Sequence, residues 1–158
     1  MECQGLPHFN FSVPCKQRSP QYFSGNIATV VNLKKKIMKI SGKSIRTFIG
    51  SKNYNVSRNF YSDLGFKEIV TSEKMSYFHI GEFGFYLQDA YVKDWIDNSM
   101  IFFEVENLES TLKYIRSLKL TEKYKDVRLS EIVYNEWGNE FFLHDPCGIL
   151  WHFGKFKK

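Results

Sequence analysis

One order of elements, written twice along the same chain, limits the folds open to this protein. Residues 44–50 alternate, with Ile45, Thr47 and Ile49 on one side and Arg46 and Phe48 on the other, the period of a half-buried strand. Asn55 is placed to cap a helix in which Val56, Phe60, Tyr61 and Leu64 recur at helical spacing, and Gly65 suits its left-handed end. Residues 66–71, 75–80 and 83–88 then read as three strands separated by short polar turns. After a linker at 92–98 the order recurs. Residues 100–105 form a strand, and Asn107 caps a helix carrying Leu108, Thr111, Leu112, Ile115 and Leu118. Strands follow at 127–134, 140–144 and 149–153, with a turn at Asp145-Pro146-Cys147-Gly148. The expected fold is α+β: two βαβββ modules, about residues 43–92 and 98–157, forming a curved mixed sheet around a cleft.

A sheet with a helix on one face buries one set of alternating residues and leaves the other set to line a concavity. Parity sends Phe85, Leu87, Ile101, Phe103, Val105, Trp151 and Phe153 to the helices. It sends Arg46, Phe48, Tyr86, Gln88, Met100, Phe102, Glu104, Glu140, Phe142, Leu150 and His152 to the concave side. The second set mixes polar and aromatic side chains, as a ligand site does. Arg46 beside His152, Glu104 and Glu140 would orient a polar ligand, and an internal Arg46–Glu pair explains the same residues. Phe48, Tyr86, Phe102 and Trp137 suit stacking on a flat ligand or packing in a core, and Trp95 in the linker suits a pocket cap or a dimer contact.

Charge argues against a nucleic-acid role. The formal net charge is +5, but residues 1–37 hold five bases against one acid, so the rest of the chain, with 17 bases and 16 acids, is almost neutral. No basic stripe remains to track phosphates. No apolar run approaches the roughly 18 residues of a membrane span, so no membrane partner is expected. Three cysteines, two of them in the first 37 residues without zinc-site company, fit a reducing, cytoplasmic setting. Residues 1–42 are expected to be a disordered tail. The Lys-, Asn- and Ile-rich residues 32–37 read like a translated ribosome-binding region, which makes Met38 the expected start, with a genuine extension as the alternative.

Two stretches resemble the vicinal oxygen chelate superfamily, which includes glyoxalase I, extradiol dioxygenases and the bleomycin- and fosfomycin-resistance proteins. Residues 57–66, SRNFYSDLGF, are similar to its FYxxLGF helix, and residues 142–153, FLHDPCGILWHF, to its closing DPxGxxxxF hairpin. Residues 137–142, WGNEFF, look most like the WGxEF stretch of the bleomycin-resistance branch. The resemblance covers about residues 43–157. Enzymes of the superfamily hold a divalent metal with His and Glu side chains from the first and last strands of each module. The matching positions here are Arg46, Tyr86 (with Gln88 one step along), Met100 and His152, of which only His152 is a suitable ligand. The resemblance therefore implies a metal-free cleft with no cofactor, probed through Arg46, Phe48, Tyr86, Gln88, Phe102, Glu104, Trp137, Glu140 and His152. It implies a homodimer binding a small amphipathic or aromatic molecule, sequestering a drug or metabolite as in antibiotic resistance. A metal-dependent lyase, isomerase or dioxygenase of the same superfamily is the alternative.

Overall fold

The computed structural model describes residues 41–157, and the expectations for residues 1–40, including the start at Met38, lie outside them. The first module runs β1 (Phe48–Gly50), α1 (Tyr54–Leu64), β2 (Lys67–Ser72), β3 (Met75–Ile80) and β4 (Phe83–Gln88). A short helix, α2 (Lys93–Asp97), occupies what reads in sequence as linker. The second module runs β5 (Met100–Glu104), α3 (Leu108–Ser117), α4 (Leu120–Lys123), β6 (Arg128–Leu129), β7 (Val133–Tyr134), β8 (Gly138–His144) and β9 (Leu150–Phe156). In each module the first strand lies parallel to the last, and the sheet orders are β1-β4-β3-β2 and β5-β9-β8-β6, with β7 also on β8. No helix among the described residues is long and apolar enough to cross a membrane.

Several details depart from the sequence reading. β1 starts at Phe48 rather than Ser44, although β4 extends back to Phe83, which the register would set beside Ile45; Ile45 is left fully exposed. The α1 cap is Asn53, whose side chain accepts from the Val56 N–H, three residues on as an N-cap requires, so Tyr54 joins the helix and is buried. Gly65 closes that helix at φ 107°, where a Cβ would be strained. The single strand expected at 127–134 is broken at Ser130. There the pairing gains one residue between Leu129↔Leu143 and Val133↔Glu140, and the Ser130 hydroxyl accepts from the Phe142 N–H. The remaining departure is that the two modules do not share one continuous sheet.

The core explains why. Tyr61 and Phe66 of the first module meet Trp151 of the second at ring distances of 5.8 and 5.6 Å, and Phe85 meets it at 5.3 Å. The helix-facing sides of both sheets thus converge on one apolar mass, in which Phe60, Tyr61, Phe78, Leu87, Phe141, Leu143, Ile149 and Trp151 are fully buried. Polar links pin the closing hairpin to α1. The buried Asp145 carboxylate accepts from the N–H groups of Cys147, Gly148 and Ile149 and from the Tyr61 hydroxyl at 2.8 Å. Cys147 Sγ, also buried, lies 3.3 Å from the Ser57 hydroxyl and accepts from the Lys52 N–H. The thiol is a packed link between the modules.

Candidate functional site

With their helix-facing sides joined, the two sheets turn their opposite faces outward. On the first sheet, strand register sets residues in rows. Ile69, Tyr77, Tyr86 and Phe48 form one row, aromatic in all but Ile69, with Phe48 stacked on Tyr86 at 4.7 Å and 14° and Tyr77 at 5.2 Å from Tyr86. Gln88 continues the face beside Met75. Tyr77 can lie flat across β4 because Gly84 has no side chain there; a Cβ would stand 2.5 Å from the Tyr77 hydroxyl oxygen.

On the second sheet, Phe102, Trp137 and Phe156 cluster with centroids 5.4 to 6.2 Å apart. Gly154 seats Phe102 in the same way, since a Cβ would come within 2.3 Å of the ring. Below these rings His152 Nδ1 lies 2.8 Å from Glu140 Oε2, and Asn135 donates to the other Glu140 oxygen at 3.2 Å. A carboxylate only accepts, so Nδ1 carries the hydrogen and Nε2 is left for another partner. Glu140 is 8% exposed and held by two side chains, and Phe142 meets the His152 ring edge-on at 5.0 Å. His144 stands on the same face beyond Phe142. Burial, then the charges of Arg128 and His152, lowers its pKa, so it stays neutral further into the acid range.

All nine residues expected at the site lie on these two outward faces, but they do not meet as one wall. Arg46 is not beside His152, Glu104 or Glu140. It belongs to the first sheet, they belong to the second, and its guanidinium rests 4.3 Å from the Tyr77 ring centre. Among the described residues Arg46 has no carboxylate within ion-pair distance, so the internal Arg46–Glu pair is absent from them. Glu104 is exposed at the end of β5, opposite Gly154. Among the described residues no hydrogen bond or aromatic contact joins one outward face to the other. Trp95 is exposed on α2.

The sequence reading missed Tyr77, His79 and Phe156. Tyr77 and His79 stand at alternating positions of a correctly placed strand, and parity alone assigns them to the outward face. Phe156 lies three residues past the expected end of β9. The reading also missed an apolar groove of about 630 Å³ beside β5, whose walls include Ile45, Phe83, Met100 and Phe102.

The superfamily's metal does not fit these residues. Among the described residues no three His, Cys, Asp or Glu side chains stand close enough to hold one ion. Arg46 is a permanent cation, and His152, whose Nε2 is left open by the Nδ1 bond to Glu140, would be a single ligand with no second or third beside it among the described residues.

No protein-family model matches the chain, and no curated protein sequence does. Solved structures do. A bleomycin-binding protein solved with bleomycin aligns over 73% of this chain and 100% of its own, at TM-score 0.63 and 17% identity. The bleomycin-binding protein of Streptomyces verticillus, solved with copper(II)-bleomycin, aligns over 76% of this chain and 100% of its own, at TM-score 0.61 and 14% identity. Lactoylglutathione lyase from Agrobacterium tumefaciens aligns over 72% and 94%, at TM-score 0.54 and 12% identity. At such identities the likeness is one of fold, and the chain has the paired βαβββ fold shared by bleomycin-binding proteins and a glyoxalase.

Proposed function

We propose that the protein binds a small amphipathic or aromatic molecule without a metal, sequestering a drug or metabolite, and that it does so as a cytoplasmic homodimer. The observation that carries this reading is the pair of outward aromatic faces, one of Phe48, Tyr77 and Tyr86 and the other of Phe102, Trp137 and Phe156. Core packing explains neither, because Phe48, Phe102, Trp137 and Phe156 are each 43–56% exposed. Stacking surfaces of this kind, with a few fixed polar groups such as Glu140 and His152, suit a flat guest. The bleomycin-binding proteins of the same fold support a binding role.

The separation of the faces supports the dimer. One chain carries two half-sites turned away from each other, and they differ in charge. The first has Arg46 and the second has Glu104 and Glu140. A two-fold arrangement that sets the first face of one copy against the second face of the other makes two closed cups with opposite charges across each. The exposed Ile45, Phe83 and Met100 beside β5 offer apolar area for the same contact. The buried, unpaired Cys147 accords with a reducing compartment.

The test uses the full-length protein and 2-naphthamide, a neutral planar probe. We expect saturable quenching of tryptophan emission, weakened at least fivefold in Trp137→Leu, and a dimer by sedimentation. Failure of 2-naphthamide and of bleomycin to bind would overturn the reading. The metal-dependent lyase, isomerase or dioxygenase is favoured only by the likeness to a lactoylglutathione lyase; stoichiometric zinc, nickel, manganese or iron in the purified protein would put it first.

A further inference from the structure

The first outward face carries a second row beside its aromatic one. Lys67 pairs with His79 across β2 and β3, and His79 pairs with Gly84 across β3 and β4. Arg46 flanks Gly84 on the other side, two residues before the Phe48↔Tyr86 pair in a parallel register. The gap left by the glycine is filled by the Tyr77 ring, with Arg46 on one side of it and His79 stacked parallel to it at 5.6 Å and 8°. His79 Nδ1 is 3.2 Å from the Gly81 carbonyl oxygen, to which it donates, so its Nε2 is unspent among the described residues.

No carboxylate lies in either row. Glu68 is on the opposite face, tied to Arg58 and Ser76, and Glu82 is in the β3–β4 turn. The arrangement is an aromatic row with donors and positive charge along one edge and no carboxylate of the same face to neutralise them.

We propose that this face selects an aromatic anion: a planar ring carrying a carboxylate, sulfonate or phosphate-type group. The ring packs against Phe48, the exposed end of the stacked Phe48–Tyr86 pair, and the anionic group meets Arg46, with Lys67 and His79 further along the edge. A guanidinium held in place by its own stacking on Tyr77 loses little freedom when it forms a two-pronged bond to such a group. This inference rests on the binding reading above and narrows it. It runs against a cationic guest, which the edge would repel.

The experiment compares three probes of one shape on the full-length protein, followed by calorimetry: 2-naphthoate, 2-naphthamide and 2-naphthylmethylammonium. We expect the anion to bind about tenfold more tightly than the amide, and the cation more weakly than either. Arg46→Gln should remove the anion's advantage while changing the amide's affinity less than threefold, and Lys67→Gln should reduce the advantage partly. Arg46 is exposed, so an unchanged melting temperature is expected and separates lost recognition from lost folding. If the amide binds and the anion gains nothing over it, or if Arg46→Gln keeps the full preference, the anion inference falls while the binding reading stands. If none of the three binds, the anion inference falls, and the binding reading falls with it when bleomycin also fails to bind.

Discussion

Removing one oxygen atom tests how the modules are joined. Tyr61 is fully buried, its ring is surrounded by Phe60, Phe66, Phe78, Phe85 and Trp151, and its hydroxyl donates to Asp145 Oδ2 at 2.8 Å while accepting from Trp151 Nε1 at 3.3 Å. Tyr61→Phe keeps the ring and its packing. It leaves Oδ2 of a buried carboxylate without that donor, and the indole N–H without its acceptor. A hydrogen bond to a charged group contributes about 1.5–3 kcal/mol, and an unsatisfied buried donor costs about 1 kcal/mol or more. The Trp151 bond is long, so its share is taken at the low end, and the expected destabilisation is about 3 kcal/mol. Burial already raises the Asp145 pKa, with its hydrogen bonds opposing that rise, so loss of the tyrosine bond pushes the carboxyl further toward protonation. Urea unfolding followed by tryptophan emission measures the change. With a slope of about 2 kcal/mol/M the midpoint should fall by about 1.5 M with the slope unchanged. Asp145→Ala in the same background should add less than it does alone by the share of the Tyr61–Asp145 bond, since the three backbone N–H bonds to Asp145 are lost in either background. A Tyr61→Phe change below about 1 kcal/mol, or full additivity with Asp145→Ala, would refute the account of this bond as the tie between helix and hairpin.

Gly154→Ala places a methyl within 2.3 Å of the Phe102 ring, which is half exposed and free to swing off β9. Stability should change by less than about 1 kcal/mol while 2-naphthamide affinity falls about fivefold, and the substitution should have no further effect once Phe102 is alanine. Burial alone would raise the Glu68 pKa, but hydrogen bonds from Arg58 and Ser76 hold it below its ordinary 4.5. Its stabilisation is therefore present above about pH 4.5 and lost as pH falls through the lowered folded value, so the stability gap between wild type and Glu68→Gln should be wider at pH 7 than at pH 3. Cys147 is buried. With Cys3 and Cys15 changed to serine, Ellman's reagent should modify the remaining thiol only as fast as the protein unfolds, and rapid modification of native protein would contradict the burial.

What could be read in advance was whatever depends on neighbours along the chain. Side-chain alternation is a property of each strand alone, so Phe85, Leu87, Trp151 and Phe153 could be assigned to the core, and Phe48, Tyr86, Phe102 and His152 to the other side, before any pairing was known. The cap at Asn53 was missed by two residues, since two asparagines compete there and only the helix's seating on Ser76 through Tyr54 decides between them. Partnerships across modules carry no such local mark. Arg46 meets a tyrosine 31 positions on rather than the expected glutamates, because the contact requires a glycine on the intervening strand to clear the space for a ring. Gly84 and Gly154 look in sequence like weak points of two strands, yet each seats an aromatic ring of the proposed site.

The same reasoning explains why one cup was expected and two separate faces were found. Parity states which side chains leave the core, but whether two outward faces confront each other depends on how the inward faces pack, and Trp151 decides that by reaching Tyr61, Phe66 and Phe85 at once. A side chain that large, placed on the inner face of the last strand but one residue from His152 on the outer face, draws the two sheets together back to back. Its replacement by leucine would leave a cavity at the junction, and the outward faces would lose their fixed relation before either lost its own strands. The proposal that a second copy completes the cup rests on this core packing: the more firmly the inner faces are joined, the less one chain can close the site by itself.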